Sequence, residues 1–444
     1  MADDRILSTV RTDGVRFVRF IWTDNAGLIR AKAVYSIFLG RYLEGESVGI
    51  TAAAPAMPVM YDAVADGSGL TPAGELFLRP DWDTFSQLPY APGWAQVLCD
   101  FWNDEGPSGH CPRTFLQRMI TAAADQDLHL MAAFENEFYL LRADGTPIDT
   151  SVFAQARALD GASEVLLDIA AALEVQGVMA EQVYAESGGG QFEIPVRYAG
   201  ALQSADHQVV FRETVRAVAR RHGLVATFLP KPFLDRAGSG AHLHLSIWRG
   251  SENLTANPAD GRQLSPLAGS FCAGVLAHLP ALMAITTPSH NSYKRFLPHF
   301  WSGAFNTWGY GNREGAIRVP PALQSGLPIS NVELKTSDAS ANPYLALGAV
   351  IAAGLDGVRD GASLPDPVDI DPANLSEQVR RDRGIRRLPT SLGESLSALE
   401  TDTVLLEALG SDLATSYLAV KRLEWGELRD MPHDDEVRLL LERY

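Results

Sequence analysis

Residues 133–139 read AFENEFY, with Glu135 and Glu137 one residue apart in a run that is otherwise mostly apolar and aromatic. The flanking Leu130, Met131, Phe134, Phe138, Tyr139, Leu140 and Leu141 favour a strand. In a strand, residues i and i+2 point to one face, so the two carboxylates project together. Like charges that close repel, and burial raises the cost. Two readings stay open on this motif alone. One is the exposed polar face of an edge strand; the other is an oxygen-rich site for a hard cation such as Mg²⁺ or Mn²⁺.

Other candidate groups follow. In YAESGGGQFEIP, Glu186 and Glu193 flank three glycines that allow a sharp turn or a close backbone approach. An exposed Gly-rich turn is the plain alternative. In GSGAHLHLSIW, His242 and His244 alternate with apolar residues, so a strand turns both to one side. Packed, hydrogen-bonded histidines would look the same. NSYKRF contains Arg295, NREGAIRVP contains Arg313 and Arg318, and NVELKTSD contains Glu333 and Lys335. The arginine fork matches carboxylate and phosphate oxygens, although surface salt bridges also use it.

These groups need a frame to position them. The chain has 444 residues, enough for a large domain plus a smaller one. Its 46% hydrophobic and 20% charged content is that of a soluble globular protein. A net charge of −17 argues against a nucleic-acid partner or an anionic membrane surface. Three cysteines with no CxxC imply neither a disulfide framework nor a cysteine zinc site, and fit a reducing cytoplasm. The start, MADDRILSTV, has no signal pattern. The most membrane-like stretch, residues 269–288, includes His278 and Pro280 and reads as a buried helix.

Residues 15–35 alternate around TDNAG, a hairpin signal. Helical periodicity marks PRTFLQRMITAAADQDL, residues 161–177, and SADHQVVFRETVRAVARRHG, the last ending at Gly223. LVATFLPKPF and AHLHLSIW read as strands. SANPYLALGAVIAAGLDGV is a helix capped by Asn342 with Pro343 at its first position. The pattern predicts an α+β fold with a mostly antiparallel sheet and helices on one side.

The segments FENEFYL, AESGGGQFEI, ATFLPKPFLDRAGSGAHLHLSIW, NSYKRFLP, NREGAIRVP and ANPYLALGAVIAAG, in this order, resemble the glutamine synthetase family. The resemblance runs from VRFIWTDNAG to SYLAVKRLEWGEL. It implies a small N-terminal β-grasp-like domain over residues 1–104 and a catalytic domain over 105–444. It implies an ATP-dependent ligase that phosphorylates the side-chain carboxylate of glutamate, after which an amine attacks the γ-glutamyl phosphate. Two or more divalent cations, Mg²⁺ or Mn²⁺, are implied per site. Glu137, Glu186 and Glu193 would hold one, and Glu135, His242 and Glu333 another. Arg295 and the backbone at Gly238 would meet glutamate. Arg313 and Arg318 would handle the phosphoryl group and nucleotide phosphates, and His244 and Ser246 would lie near the nucleotide. Asp24 would help deprotonate an amine bound by a neighbouring subunit, within two stacked hexameric rings.

Four departures from the family bear on its substrates. Where glutamine synthetase has a flap glutamate, six residues after Arg295, this chain has Trp301. Tryptophan offers an apolar wall or a π-face in place of a carboxylate. Lys335 stands for an arginine, which loses the bidentate fork. Ala237 stands for an asparagine, and Asn331 for an arginine expected to serve the nucleotide. The tyrosine that some members adenylylate is replaced by Ser376. These departures imply a γ-glutamyl amide ligase that takes an organic amine in place of ammonia. Phe300, Phe305 and Trp308 lean toward an apolar or aromatic amine, since the local stretch supplies no extra carboxylate for a polyamine. An ordinary glutamine synthetase using ammonium, and a non-catalytic ring-forming nucleotide-binding scaffold, are the alternatives.

Overall fold

The alternating residues around TDNAG close into a hairpin: β1 (Phe17–Thr23) pairs antiparallel with β2 (Ile29–Tyr35). Gly27 takes φ +84 at the turn, a conformation glycine adopts at little cost. A computed structural model describes residues 2–322 and 324–444. In it the hairpin joins β3 (Val48–Thr51), β4 (Glu75–Gln87), β5 (Trp94–Asn103) and β6 (Gly106–Pro107). The strand order is β2-β1-β5-β4-β3, with β6 on β5. This nearly closed, β-grasp-like sheet has its own apolar cluster, including Val18, Phe20, Leu78, Val97 and Phe101.

The second sheet holds ten strands: β7 (His129–Leu141), β8 (Tyr184–Ala185), β9 (Gln191–Pro195), β10 (Ala199–Gly200), β11 (Val225–Thr227), β12 (Ala241–Arg249), β13 (Glu252–Asn253), β14 (Phe305–Tyr310), β15 (Gly315–Val319) and β16 (Val332–Leu334). Its main path is β14-β15-β16-β12-β7-β9-β8, antiparallel except for β14 with β15. Helices flank it, so the chain is α+β as its patterning predicts. LVATFLPKPF is strand only over Val225–Thr227. Pro230 and Pro232 lack the N–H a ladder needs, so the rest is loop.

The predicted helices form over Pro112–Ala124, Ser163–Val175, Ala201–Arg221 and Pro343–Arg359. Asn342 caps the last, accepting from the N–H groups of Tyr344 and Leu345. The apolar stretch becomes the helix Pro266–Thr286, mostly buried inside the protein. It crosses Pro343–Arg359 so closely that a Cβ on Gly274 would sit 2.2 Å from the Ala353 carbonyl oxygen. Such an approach needs glycine.

Arg113 ties the first sheet to a helix of the larger domain. Its guanidinium donates to Asp206 on the helix Ala201–Arg221 through two bonds of 2.9 Å, to Asp100 on β5 at 3.1 Å and to Asp81 on β4 at 2.6 Å. Tyr344 adds a bond to Asp206 at 2.7 Å. Removing the cation would leave three carboxylates facing one another with little solvent. Arg113→Met is therefore expected to destabilise the protein by about 3–5 kcal/mol, read as a lowered urea midpoint. An unchanged midpoint would contradict this view of the junction.

Candidate active site

The site lies across the second sheet, and strand register assembles it. Residues paired across neighbouring strands place their side chains on the same face. Register sets Glu193 on β9 opposite Glu137 on β7, and Glu135 on β7 opposite His242 on β12. It also sets His244 on β12 opposite Glu333 on β16, and Glu333 opposite Arg318 on β15. Glu186, just past β8, lies beside Glu193. Strand alternation thus gathers residues up to about 200 positions apart in sequence.

His242 stands at the centre. Its Nδ1 lies 3.4 Å from both Glu135 and Glu333, and its Nε2 lies 3.7 Å from Glu137. His244 Nε2 lies 3.4 Å from Glu135, while its Nδ1 meets Asn331 Oδ1 at 2.9 Å. One donor atom each from Glu135, His244 and Glu333 lie within 4.8 Å of one another, a group able to hold a cation. The sequence reading placed His242 on that cation and His244 beside the nucleotide. Two positions apart on one strand, both rings reach Glu135, and the tight three-donor group includes His244.

Electrostatically the site has two halves. Burial pushes the carboxyls of Glu137 and Glu186 up, and that of Glu193 well up, with neighbouring glutamates adding to each. Burial works the same way on Glu135, but hydrogen bonds from His242 and His244 outweigh it and hold that carboxyl low. Glu333 is held down to about 2 because Lys335, the two histidines and Arg318 outweigh its burial. Burial pulls His244 down, yet Glu135 and Glu333 push it up to about 9. Carboxylates and imidazole suit a divalent cation, whose charge would relieve the crowded acidic half.

Supports surround these groups. Gly240 donates its N–H to Glu137 at 3.0 Å, and Tyr184 donates its hydroxyl to Glu193. Gln191 spans Glu137 at 3.4 Å and the Gly238 carbonyl at 3.0 Å. A Cβ on Gly188 would lie 1.9 Å from the Tyr139 hydroxyl, so this turn requires glycine. Arg318 and Lys335 both bind Glu333, Lys335 at 3.3 Å. Ser246, next along the same face of β12, accepts from Trp248 at 2.8 Å. Arg295 is buried against Gly238, donates to the carbonyls of Lys335 at 3.1 Å and Ser337 at 2.7 Å, and lies 3.9 Å from Asp338.

Three sequence expectations change. Asp24 is fully buried in its own chain: it accepts from the Leu28 N–H at 2.9 Å and from Arg30 at 2.5 Å. Thus engaged, its carboxylate is not presented to a neighbouring subunit. Phe305 and Trp308 are buried in β14, where Trp308 donates to the Pro365 carbonyl, and they add no wall beside Trp301. Their place is taken by Phe153, missed because it lies far upstream. Trp301, half-exposed with φ +55, meets Phe153 nearly edge-on at 6.4 Å, and Phe153 meets Tyr184 at 6.2 Å. Arg313, exposed on the loop before β15, lies 6.0 Å over the Trp301 ring. A carboxylate is present after all: Glu314 accepts the Trp301 N–H at 3.0 Å.

The raised carboxyls of Glu137, Glu186 and Glu193 predict a pH effect. With these pKa values above the unfolded ones, the cation-free folded state binds more protons than the unfolded state. Its stability is therefore expected to fall as pH rises above the ordinary carboxylate range. A divalent cation competes with those protons, so the rise in Tm on adding Mg²⁺ should be larger at pH 8 than at pH 6. Equal gains at both would contradict the assignment.

Known proteins resemble this chain in sequence and fold. The family model "Glutamine synthetase, catalytic domain" matches residues 109–440, and "Glutamine synthetase N-terminal domain" matches residues 1–106. The gamma-glutamylpolyamine synthetase GlnA3 of Streptomyces coelicolor is 39% identical, covering 95% of this chain and 92% of that protein. The glutamine synthetase of Methanocaldococcus jannaschii is 33% identical, covering 98% and 96%. Among solved structures, a GmaS/ADP complex superposes with a TM-score of 0.86 at 32% identity, covering 97% and 98%. By model match, sequence and fold together, the chain belongs to the glutamine synthetase family of ATP-dependent carbon–nitrogen ligases.

Proposed function

We propose that this ligase joins the side-chain carboxylate of glutamate to an organic amine, forming a γ-glutamyl amide. The observation that carries the reading is Trp301 at the flap position, with Phe153 and Tyr184 continuing an aromatic wall toward Glu193. Such a wall favours a hydrocarbon-bearing amine, which buries apolar area that ammonium lacks. The similar Streptomyces coelicolor protein, named for polyamines, supports the same class. The relatives named glutamine synthetase keep ammonium as the alternative.

ATP, when bound, supplies the phosphoryl group that activates the glutamate carboxylate. Arg318, Arg313, His244, Ser246 and Asn331 are the residues offered to it, and Arg295, Gly238 and Lys335 those offered to glutamate. Glu137, Glu186 and Glu193 would hold one Mg²⁺ or Mn²⁺, and Glu135, Glu333 and the two histidines another. Aromatic side chains exclude water from the amine's approach, which protects an activated acyl group from hydrolysis. Self-assembly into rings belongs to the same reading. Exposed Leu167, Val175 and Met179 support it as apolar surface available to another copy.

Phosphate release from ATP and glutamate, across ammonium, ethanolamine, putrescine, isopropylamine and aniline, tests the reading. An organic amine is expected to exceed ammonium, and ammonium as the best substrate would sink the proposal. Trp301→Glu is expected to shift the ratio toward ammonium; an unchanged ratio would remove the role given to the wall. Glu333→Ala is expected to cut turnover by at least about a hundredfold, and near-normal activity would refute the cation assignment.

A further inference from the structure

We propose that Glu314 receives a cationic end of the amine substrate, standing in for the carboxylate the flap lacks, and that the substrate is therefore a diamine or polyamine. The inference rests on the organic-amine reading and deepens it. Glu314 is only 7% exposed. Its Oε1 accepts the Trp301 N–H at 3.0 Å, and among the described residues its Oε2 has no hydrogen-bond partner. The residue is held firmly. Its own N–H binds Asn312 Oδ1 at 3.0 Å, and Asn312 Nδ2 binds the carbonyls of Val368 at 2.6 Å and Ile370 at 3.1 Å.

The nearby charges are otherwise engaged. Lys335 is paired with Glu333 at 3.3 Å, and His299 with Asp371 at 2.5 Å. Arg313 lies over the Trp301 ring. Among the described residues no cation lies within ion-pair distance of Glu314; His299 and Lys335 act on it only from farther off, and Asp371 adds charge of the same sign. A mostly buried carboxylate with no cation in direct contact gains from one that reaches its open oxygen. An ammonium group would do so, while Trp301 and Phe153 would take the hydrocarbon attached to it.

The number of cations in the substrate follows from the chemistry. The nitrogen that attacks the activated glutamate must be neutral when it does so. A carboxylate that keeps its partner throughout therefore suits a second, unreactive ammonium. An earlier expectation, that the flap region lacks a carboxylate for a polyamine, gives way to this one.

The test compares putrescine with butylamine, a monoamine of equal length, in steady-state phosphate release by the wild type, Glu314→Gln and Glu314→Ala. Glutamine retains an oxygen to accept the Trp301 N–H, so it removes the charge and spares the flap. Expected are a wild-type kcat/KM for putrescine about tenfold or more above that for butylamine, and near-equality in Glu314→Gln. The change should lie in the KM for putrescine, with the KM for glutamate unchanged. Glu314→Gln behaving like wild type while Glu314→Ala loses both amines would overturn the proposal, leaving Glu314 a positioning residue. Butylamine equal to putrescine in the wild type would also overturn it. Ammonium outrunning every organic amine would instead defeat the ligase reading beneath it.

Discussion

Five carboxylates, those of Glu135, Glu137, Glu186, Glu193 and Glu333, converge on one face of one sheet, and most of them are buried. Such crowding is tolerable only with compensation, and the rest of the site is arranged to provide it. On one side Arg318, Lys335 and two imidazoles surround Glu135 and Glu333. On the other, the compensation is a Gly240 N–H and a Tyr184 hydroxyl, and burial pushes the Glu193 carboxyl well up. The asymmetry matters for chemistry. The half with fewer cationic groups in contact has most capacity for an external cation, and it lies beside the aromatic wall where the amine is proposed to enter.

The scaffold protects this arrangement from the outside. Strands carry the histidines and four of the five carboxylates, while the groups proposed to choose the amine sit on connections: Phe153, Trp301 and Glu314. Loops tolerate change more readily than sheet interiors do. Arg113 performs a related task between the first sheet and the helix Ala201–Arg221, where one guanidinium binds three aspartates from three elements.

Much of this could be read from the sequence, because strand alternation and like-charge spacing are local signals. The glutamate pair, the histidine pair, the Asn342 cap and the hairpin turn all appear within windows of a few residues. What could not be read depends on contacts between distant segments. Phe153 has no local pattern to separate it from any loop aromatic, and it gains meaning only against Trp301. Glu314 lies between the two arginines that mark its segment, and its partner is a backbone N–H that no side-chain pattern reveals. Asp24 shows the reverse error. Its turn matches the expected form, yet Arg30 and surrounding side chains enclose it within its own chain. Phe305 and Trp308, near Trp301 in sequence, are carried into the core by β14.

The register of β7 carries a further consequence, for how this protein can misfold. Glu135 lies opposite His242, and Glu137 opposite Glu193, while Phe134 and Phe138 enter the apolar layer behind. A slip of one residue would exchange the faces. Phenylalanines would then line the polar cleft, and glutamates would enter a dry core. A misaligned chain would lose its packing and its donors for cations in the same step, so few compact decoys could retain either. Strand alignment in this protein is thus proofread by the same residues that make it useful.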